Sequence, residues 1–298
     1  MNAALQQPQR ISDYAPGIYP DIPAEVYHQR ELGVVNNGAL KILANRTPAH
    51  YRAWVDAEDK EAPALAFGRA IHCALLEPDE FERTYIQARE HPYRRPSQRQ
   101  RDAKNPSAET LAAIDYWDAW QAECGDKIEI THEEGIQLRA MQAALQRHSR
   151  ANALLRGGMK EATAIWNEPD HGLLCKARMD VYDADRGLVI DLKTAECAAE
   201  FDAQRSFARY GYHIQHAHYA CAMQALGRGV RAFVFVVIEK EPPHAIAVYS
   251  LDAEAEARGM ELRNRAISTL NCCLEADQWP GYPEAIQRLS LPGWALND

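Results

Sequence analysis

No apolar run in the 298 residues reaches the roughly 18 needed to cross a bilayer, so no membrane-spanning helix is expected. The opening stretch Met1–Pro8 has no basic region leading into an apolar one, so no secretory signal is expected and a cytoplasmic location is the default. Cysteine is sparse and scattered: Cys73, Cys124, Cys175, Cys197, Cys221, Cys272 and Cys273 include no Cys-x2-Cys pair. That argues against a zinc ribbon, and an odd count in a cytosolic chain argues against a disulfide framework. Nothing points to an iron–sulfur cluster, and most of these thiols read as core residues. There is no Gly-x4-Gly-Lys-Ser/Thr loop, which removes the phosphate-binding NTPases. Internal repeats are absent. Positive charge is also short, 33 Lys and Arg against 42 Asp and Glu for a net −9, so the chain is no generic nucleic-acid coat.

The basic residues are concentrated, however. Residues 83–104 carry Arg94, Arg95, Arg99 and Arg101 in a proline-containing loop, and residues 135–160 carry five cations and no acid. Patches of this kind can track phosphates on an acidic protein; solvated helix faces are the plainer alternative. Helices are expected from Asn37, over Ala64–Leu76, over 108–123, over 132–148 behind the capping box Thr131-x-x-Glu134, over 198–226, and from Asp252 to about 275. Strands are expected at 160–167, 173–180, 187–194, 231–238 and 244–250. Hairpins mixed with a long helical crossover imply an α/β fold with a mixed sheet. The expected organisation is a disordered tail over 1–13 and one domain over 14–298. Within it, a helical part (14–155) includes a basic loop at 90–106, a sheet core spans 156–275, and a tail follows from 276.

Three stretches carry chemistry. The first is Asp180-x10-Asp191-x-Lys193, on two successive strands. Alternation puts Asp191 and Lys193 on one face while Ile190 and Leu192 enter the core. Two carboxylates beside an ammonium suit a hard cation such as Mg²⁺, although a surface salt bridge is the simpler reading of the spacing alone. The second is Gly68-x3-His72, where the glycine leaves room one turn before the imidazole; a lone histidine on an apolar helix is more often a core residue. The third is Gln215-x3-Tyr219 with Tyr212 a turn earlier, an amide and phenols on one stripe that could meet a phosphate or a base, or belong to the core.

Taken in order, Gly68-x3-His72, Asp180, Asp191-Leu192-Lys193-Thr194 and Gln215-x3-Tyr219 resemble the PD-(D/E)xK nuclease superfamily. The nearest resemblance is to the C-terminal nuclease domain of exonuclease VIII (RecE) of phages and prophages. It extends to Gly17-Ile18-Tyr19, Thr47-Pro48-Ala49-His50-Tyr51 and Gly68 to Pro78, and spans about residues 17 to 250. The resemblance implies an α/β core of the restriction-endonuclease type, a mixed sheet flanked by helices, with a helical N-terminal half. It implies that His72, Asp180 and Asp191 are metal ligands assisted by the Leu192 carbonyl. Lys193 would place the attacking water, and Gln215 and Tyr219 would steady the site. Arg94, Arg95, Arg99, Arg101 and Tyr212 are the candidate DNA contacts. Glu161, on the first strand of the hairpin, could be a further acid of the site, but a solvent-facing position is expected for it.

The activity so implied is a Mg²⁺-dependent exodeoxyribonuclease with one or two ions per site, Mn²⁺ being a possible substitute. It would digest linear double-stranded DNA from 5′ to 3′ and leave 3′ single-stranded tails for a strand-annealing recombinase. The resemblance also implies a ring-like homo-oligomer, a tetramer by analogy. The rivals are a RecB-type or other endonuclease on the same fold, and a catalytically silent DNA-end-binding protein.

Overall fold

The computed structural model describes residues 10–57, 63–89 and 91–291. A short strand β1 (Gly17–Tyr19) precedes helices α1 (Ala24–His28), α2 (Asn37–Asn45), α3 (Pro48–Asp56), α4 (Pro63–Leu76) and α5 (Pro78–Thr84). Helices α6 (Gln98–Arg101), α7 (Ala108–Cys124), α8 (His132–Arg147) and α9 (Ser149–Arg156) follow, beside two small parallel strands, β2 (Tyr85–Gln87) and β3 (Ile128–Ile130). The remainder builds the sheet. It runs through β4 (Met159–Asn167), β5 (Leu174–Asp183) and β6 (Leu188–Ala195), then helices α10 (Glu200–Tyr210) and α11 (Tyr212–Ala225). Strands β7 (Ala232–Glu239) and β8 (Ile246–Tyr249) and helix α12 (Ala253–Ala276) complete it.

Six strands lie in the order β1-β4-β5-β6-β7-β8, antiparallel throughout except β6 against β7. That one parallel pair requires a crossover, which α10 and α11 supply. The fold is therefore α/β with a mixed sheet between helical layers, as expected. On one face, Met179, Val189, Phe233 and Phe235 pack with Leu40, Ile214, Met223 and Leu270 from α2, α11 and α12. On the other, Val181, Ile190, Leu192 and Val236 pack with Ile71, Leu138 and Leu155 from α4, α8 and α9. Among the described residues no helix is long and apolar enough to cross a membrane.

Several boundaries differ from expectation for identifiable reasons. Residues 1–9 lie outside the described residues, but Ile11 is not part of a loose tail. It is fully buried with Ile22, Val26, Val34 and Ile165, at the start of a short 3₁₀ turn. The turn-rich entry Gly17–Tyr19 pairs with β4 as an edge strand. The helix over 198–226 is two helices, because Gly211 adopts the left-handed conformation, φ 64°, and redirects the chain. The cap of α2 is Asn36, whose side chain accepts the Ala39 N–H at 2.8 Å, and Asn37 is already the first helical residue.

The N-terminal segment is tied to the sheet by two cations, Lys176 buried and Arg178 half-buried. The Lys176 ammonium donates to the carbonyls of Tyr27 (2.6 Å) and Gln29 (2.7 Å), and burial lowers its pKa to about 8. The Arg178 guanidinium donates to the Ile22 carbonyl at 2.6 Å and lies 4.3 Å from the centre of the Tyr27 ring.

Helices α11 and α12 approach closely enough to need glycine. A Cβ on Gly259 would overlap the carbonyl oxygen of His213, whereas a Cβ on Gly68 in α4 would meet nothing within 4 Å. Gly259→Ala is expected to destabilise the protein by about 1–3 kcal/mol, lowering the urea midpoint. Gly68→Ala should raise that midpoint, by up to about 1 kcal/mol, because only helix propensity changes. Equal midpoints for the two variants would refute the close approach.

Candidate active site

The site begins with a fault in the sheet. Register between β4 and β5 is the same on both sides of one position: Lys160 faces Val181 and Ala162 faces Met179. Glu161 is thereby left opposite Asp180, and its φ of 48° is left-handed, rare for a non-glycine residue inside a strand. Across this point the strand exchanges faces. Met179 packs with the layer of α11, whereas Val181, two residues on, packs with the layer of α4. Regular alternation would have kept both on one side. Asp180, at the exchange, is consequently within reach of side chains from both layers.

From the α4 side comes His72, its Nδ1 3.6 Å from Asp180 Oδ2. A nitrogen of His72 and carboxylate oxygens of Glu161 and Asp180 all lie within 4.8 Å of one another. Glu161 is thus a member of the cluster, contrary to the solvent-facing position expected for it. The hairpin register held the clue: counting back from the turn between β4 and β5 sets Glu161 against Asp180.

From the other side come Asp191 and Lys193. The β5–β6 ladder runs from Asp183↔Leu188 to Val181↔Ile190, and beyond it Asp180 Oδ2 accepts the Leu192 N–H at 2.6 Å. The side chain thus replaces a main-chain partner where the strands part. Ile190 and Leu192 are buried in the α4 layer, as alternation requires, and Asp191 and Lys193 point the opposite way. Lys193 forms an ion pair with Asp191 Oδ2, while Gln215 Nε2 donates to Asp191 Oδ1 at 2.5 Å. The Tyr219 hydroxyl donates to the Arg178 carbonyl at 2.7 Å, and the side chain is buried, so its role is to hold α11 on β5.

Tyr212 lies beneath the lysine, its ring centre 4.8 Å from the Lys193 ammonium, and stacks on Phe235 and on Tyr210. A second cation escaped the sequence reading: the Lys41 ammonium on α2 is 5.3 Å from the same ring. Burial and the charge of Lys193 lower its pKa to about 8. Nothing local marks Lys41 in the sequence, since only folding brings α2 against α11. The arginines of the basic loop sit elsewhere, on the α7 lobe. Arg95 lies over Trp117 at 5.2 Å, Arg101 pairs with Asp118 at 2.7 Å, and Arg94 and Arg99 are exposed.

The charges balance in a particular way. Burial opposes ionisation of Asp180, but His72, Lys193 and the Leu192 N–H outweigh it and hold its pKa below the ordinary value. Burial likewise disfavours the His72 imidazolium, and the Asp180 carboxylate overcomes this and raises its pKa. Lys193 is raised in the same manner, burial being outweighed by Asp191 and Asp180, so it stays charged. For Glu161 the balance goes the other way: burial and the adjacent Asp180 charge outweigh His72 and Arg178 and push its pKa up to about 7. One imidazole and two converging carboxylates, one of them reluctant to ionise alone, form a donor set suited to a divalent cation. Its charge would relieve the repulsion between Glu161 and Asp180.

This imbalance has a measurable sign. A carboxyl whose folded pKa is raised destabilises the fold as pH climbs from its ordinary 4.5 toward 7, because only the unfolded chain ionises freely over that window. In metal-free buffer Glu161→Gln should match wild type at pH 4. At pH 8 it should be more stable by about 1–2 kcal/mol, after allowance for partial exposure. Added divalent metal should stabilise wild type and reverse the order. Urea midpoints with EDTA and with metal would check this, and a variant less stable than wild type at pH 8 in EDTA would contradict it.

Comparison with known proteins agrees with this geometry. No curated protein matches the chain. Among solved structures, one from Eubacterium rectale, named as a candidate exonuclease, superposes with a TM-score of 0.53 at 14% identity. That match covers 93% of this chain and 98% of the other, and it speaks to the fold. A phage-related exonuclease from Haemophilus somnus matches over 61% of this chain and 90% of its own, at 12% identity. Its TM-score of 0.29 is too low to bear on the fold here. The model of the PDDEXK-like domain of unknown function (DUF3799) matches residues 39–292, from α2 to beyond α12. The chain belongs to that PDDEXK-like family.

Proposed function

We infer that the protein is a divalent-metal-dependent nuclease, and more specifically a Mg²⁺-dependent exodeoxyribonuclease that digests linear duplex DNA from 5′ to 3′. The observation that carries this reading is the convergence of His72, Glu161, Asp180, Asp191 and Lys193 at one break in the sheet. Membership in a PDDEXK-like family supports the reaction class. The name of the Eubacterium rectale structure agrees with an exonuclease. Polarity, the 3′ tail, the annealing partner and the ring-like tetramer rest on the resemblance of the motifs to the RecE nuclease domain.

Phosphodiester hydrolysis needs an activated water and relief of the charge that builds on phosphorus, and a bound Mg²⁺ or Mn²⁺ supplies both. His72, Glu161 and Asp180 would hold the ion, with Asp191 and the Leu192 carbonyl completing the donor set. Lys193, kept protonated by two carboxylates, would orient the water and face the developing charge rather than abstract a proton. Asp191 holds Lys193 in place, Gln215 holds Asp191, and Tyr219 fixes the helix bearing Gln215. Arg94, Arg95, Arg99 and Arg101 would act at a distance on the duplex backbone, where the cost of losing one is small.

The test is digestion of linear duplex labelled at either end, beside a covalently closed circle, with Mg²⁺ and with EDTA. Loss of the 5′-labelled strand end in Mg²⁺ alone is expected. Lys193→Ala and Asp191→Ala should each cut the rate by at least about a hundredfold while DNA binding survives. His72→Ala should raise the Mg²⁺ needed for half the maximal rate by about tenfold or more. Cutting of the closed circle would replace the exonuclease by an endonuclease, and undiminished digestion by Lys193→Ala would remove the site.

A further inference from the structure

A groove of about 800 Å³ opens beside Lys193, between the ends of β6 and β7 and the length of α10. Its size falls within the range of ligand clefts. Arg205, Arg209 and Lys240 line it with Lys193, against the acids Glu196 and Asp202. Among the described residues none forms an ion pair with Arg205, Arg209 or Lys240; the two guanidinium groups lie over the rings of Phe201 and Tyr210, each 5.6 Å from the ring centre. Aromatic rings make a stair out of the site. Tyr212 lies under Lys193, and Tyr210 stacks on Tyr212 with centroids 5.9 Å apart and planes 29° apart. Tyr210 is 50% exposed, which is unusual for so large a ring at the end of a helix. Gly211 allows the stair: its left-handed backbone lets consecutive helices present adjacent tyrosines on one side.

Cations along a groove with a stacking face are the chemistry of single-stranded nucleic acid, whose unpaired bases offer a π-surface and whose phosphates repeat along the strand. A duplex keeps its bases stacked inside and has no use for an exposed ring. We propose that this groove along α10 binds single-stranded DNA leading to or from the reacting phosphate, with Tyr210 stacking on a base and Arg205, Arg209 and Lys240 on phosphates. The proposal rests on the nuclease reading for its direction, and on the groove alone for its binding.

The experiment is a fluorescence-anisotropy titration of the full chain in EDTA, where digestion is stopped. The probes are a single-stranded DNA oligonucleotide and a duplex dumbbell closed at both ends. Tyr210→Ala should weaken single-strand binding by about 5- to 100-fold, Tyr210→Phe should bind as wild type, and dumbbell binding should not respond to either. Arg205→Ala with Arg209→Ala should reduce the slope of log affinity against log salt by about 1.4. Wild-type affinity of Tyr210→Ala for the single strand, an equal loss on both probes, or no single-strand binding by wild type would each overturn the groove. Tyr210-dependent binding by a protein that digests nothing in Mg²⁺ would leave the groove standing and remove the nuclease reading. Digestion indifferent to Tyr210 and to both arginines would do the reverse.

Discussion

Everything chemical in this protein depends on one change of face in a hairpin. A strand that alternates without fault offers each helical layer its own residues, and no side chain of one layer can meet one of the other across the sheet. At Glu161 and Asp180 the alternation slips. His72, carried by the layer of α4, and Lys193, facing the layer of α11, then act on the same carboxylate. The left-handed Glu161 backbone costs on the order of 1–3 kcal/mol, and the ladders on either side hold it there. Lys160, next to it, donates to the carbonyls of Leu155 and Gly157 and pins the end of the preceding helix to the start of β4.

The electrostatics follow from that geometry. Asp180 has three close partners: an imidazole, an ammonium and a main-chain N–H. Glu161 receives mainly its neighbour's negative charge and poor hydration, so two carboxyls side by side are driven apart in acidity. Such splitting at a cleft is a mark of functional groups, because a structural ion-pair network tends instead to satisfy each acid. A divalent cation held with His72 and Asp180 would have the charge and the donor preference to complete the balance at Glu161. Lys193 is engaged instead by Asp191, which Gln215 holds in turn.

How much of this could be read before folding depends on whether each residue's position is set locally. Asp191 and Lys193 were readable because strand alternation places them without reference to anything else. His72 was suggested by Gly68, and Gln215 with Tyr219 by one helical turn, though none of these pairs showed what it would touch. Glu161 is the converse case: its place depends on a left-handed break in the strand, which alternation does not foresee, so a solvent-facing position is the expectation and the cluster is what folding shows. Lys41 was invisible because its partners, Tyr212 and Lys193, are brought to it only by the packing of α2 on α11. The fold class survived these errors, since hairpins and one crossover determine a mixed sheet whether or not a helix divides at Gly211.

The spacing of Gln215 and Tyr219 has its own physical reason. Four residues advance a helix by about 6 Å, and neighbouring strands lie about 4.8 Å apart. A helix laid across the strands can therefore address two of them with residues one turn apart. Gln215 reaches Asp191 on β6, and Tyr219 reaches the Arg178 carbonyl on β5. His218 reaches the Lys176 carbonyl two residues earlier on β5, which fixes the rotation of α11 as well as its place. On its outer side, Gly259 lets α12 close against His213 and prevents retreat. The amide that orients the Asp191–Lys193 pair is thus held by main chain on both sides, and neither partner can shift without breaking a buried hydrogen bond.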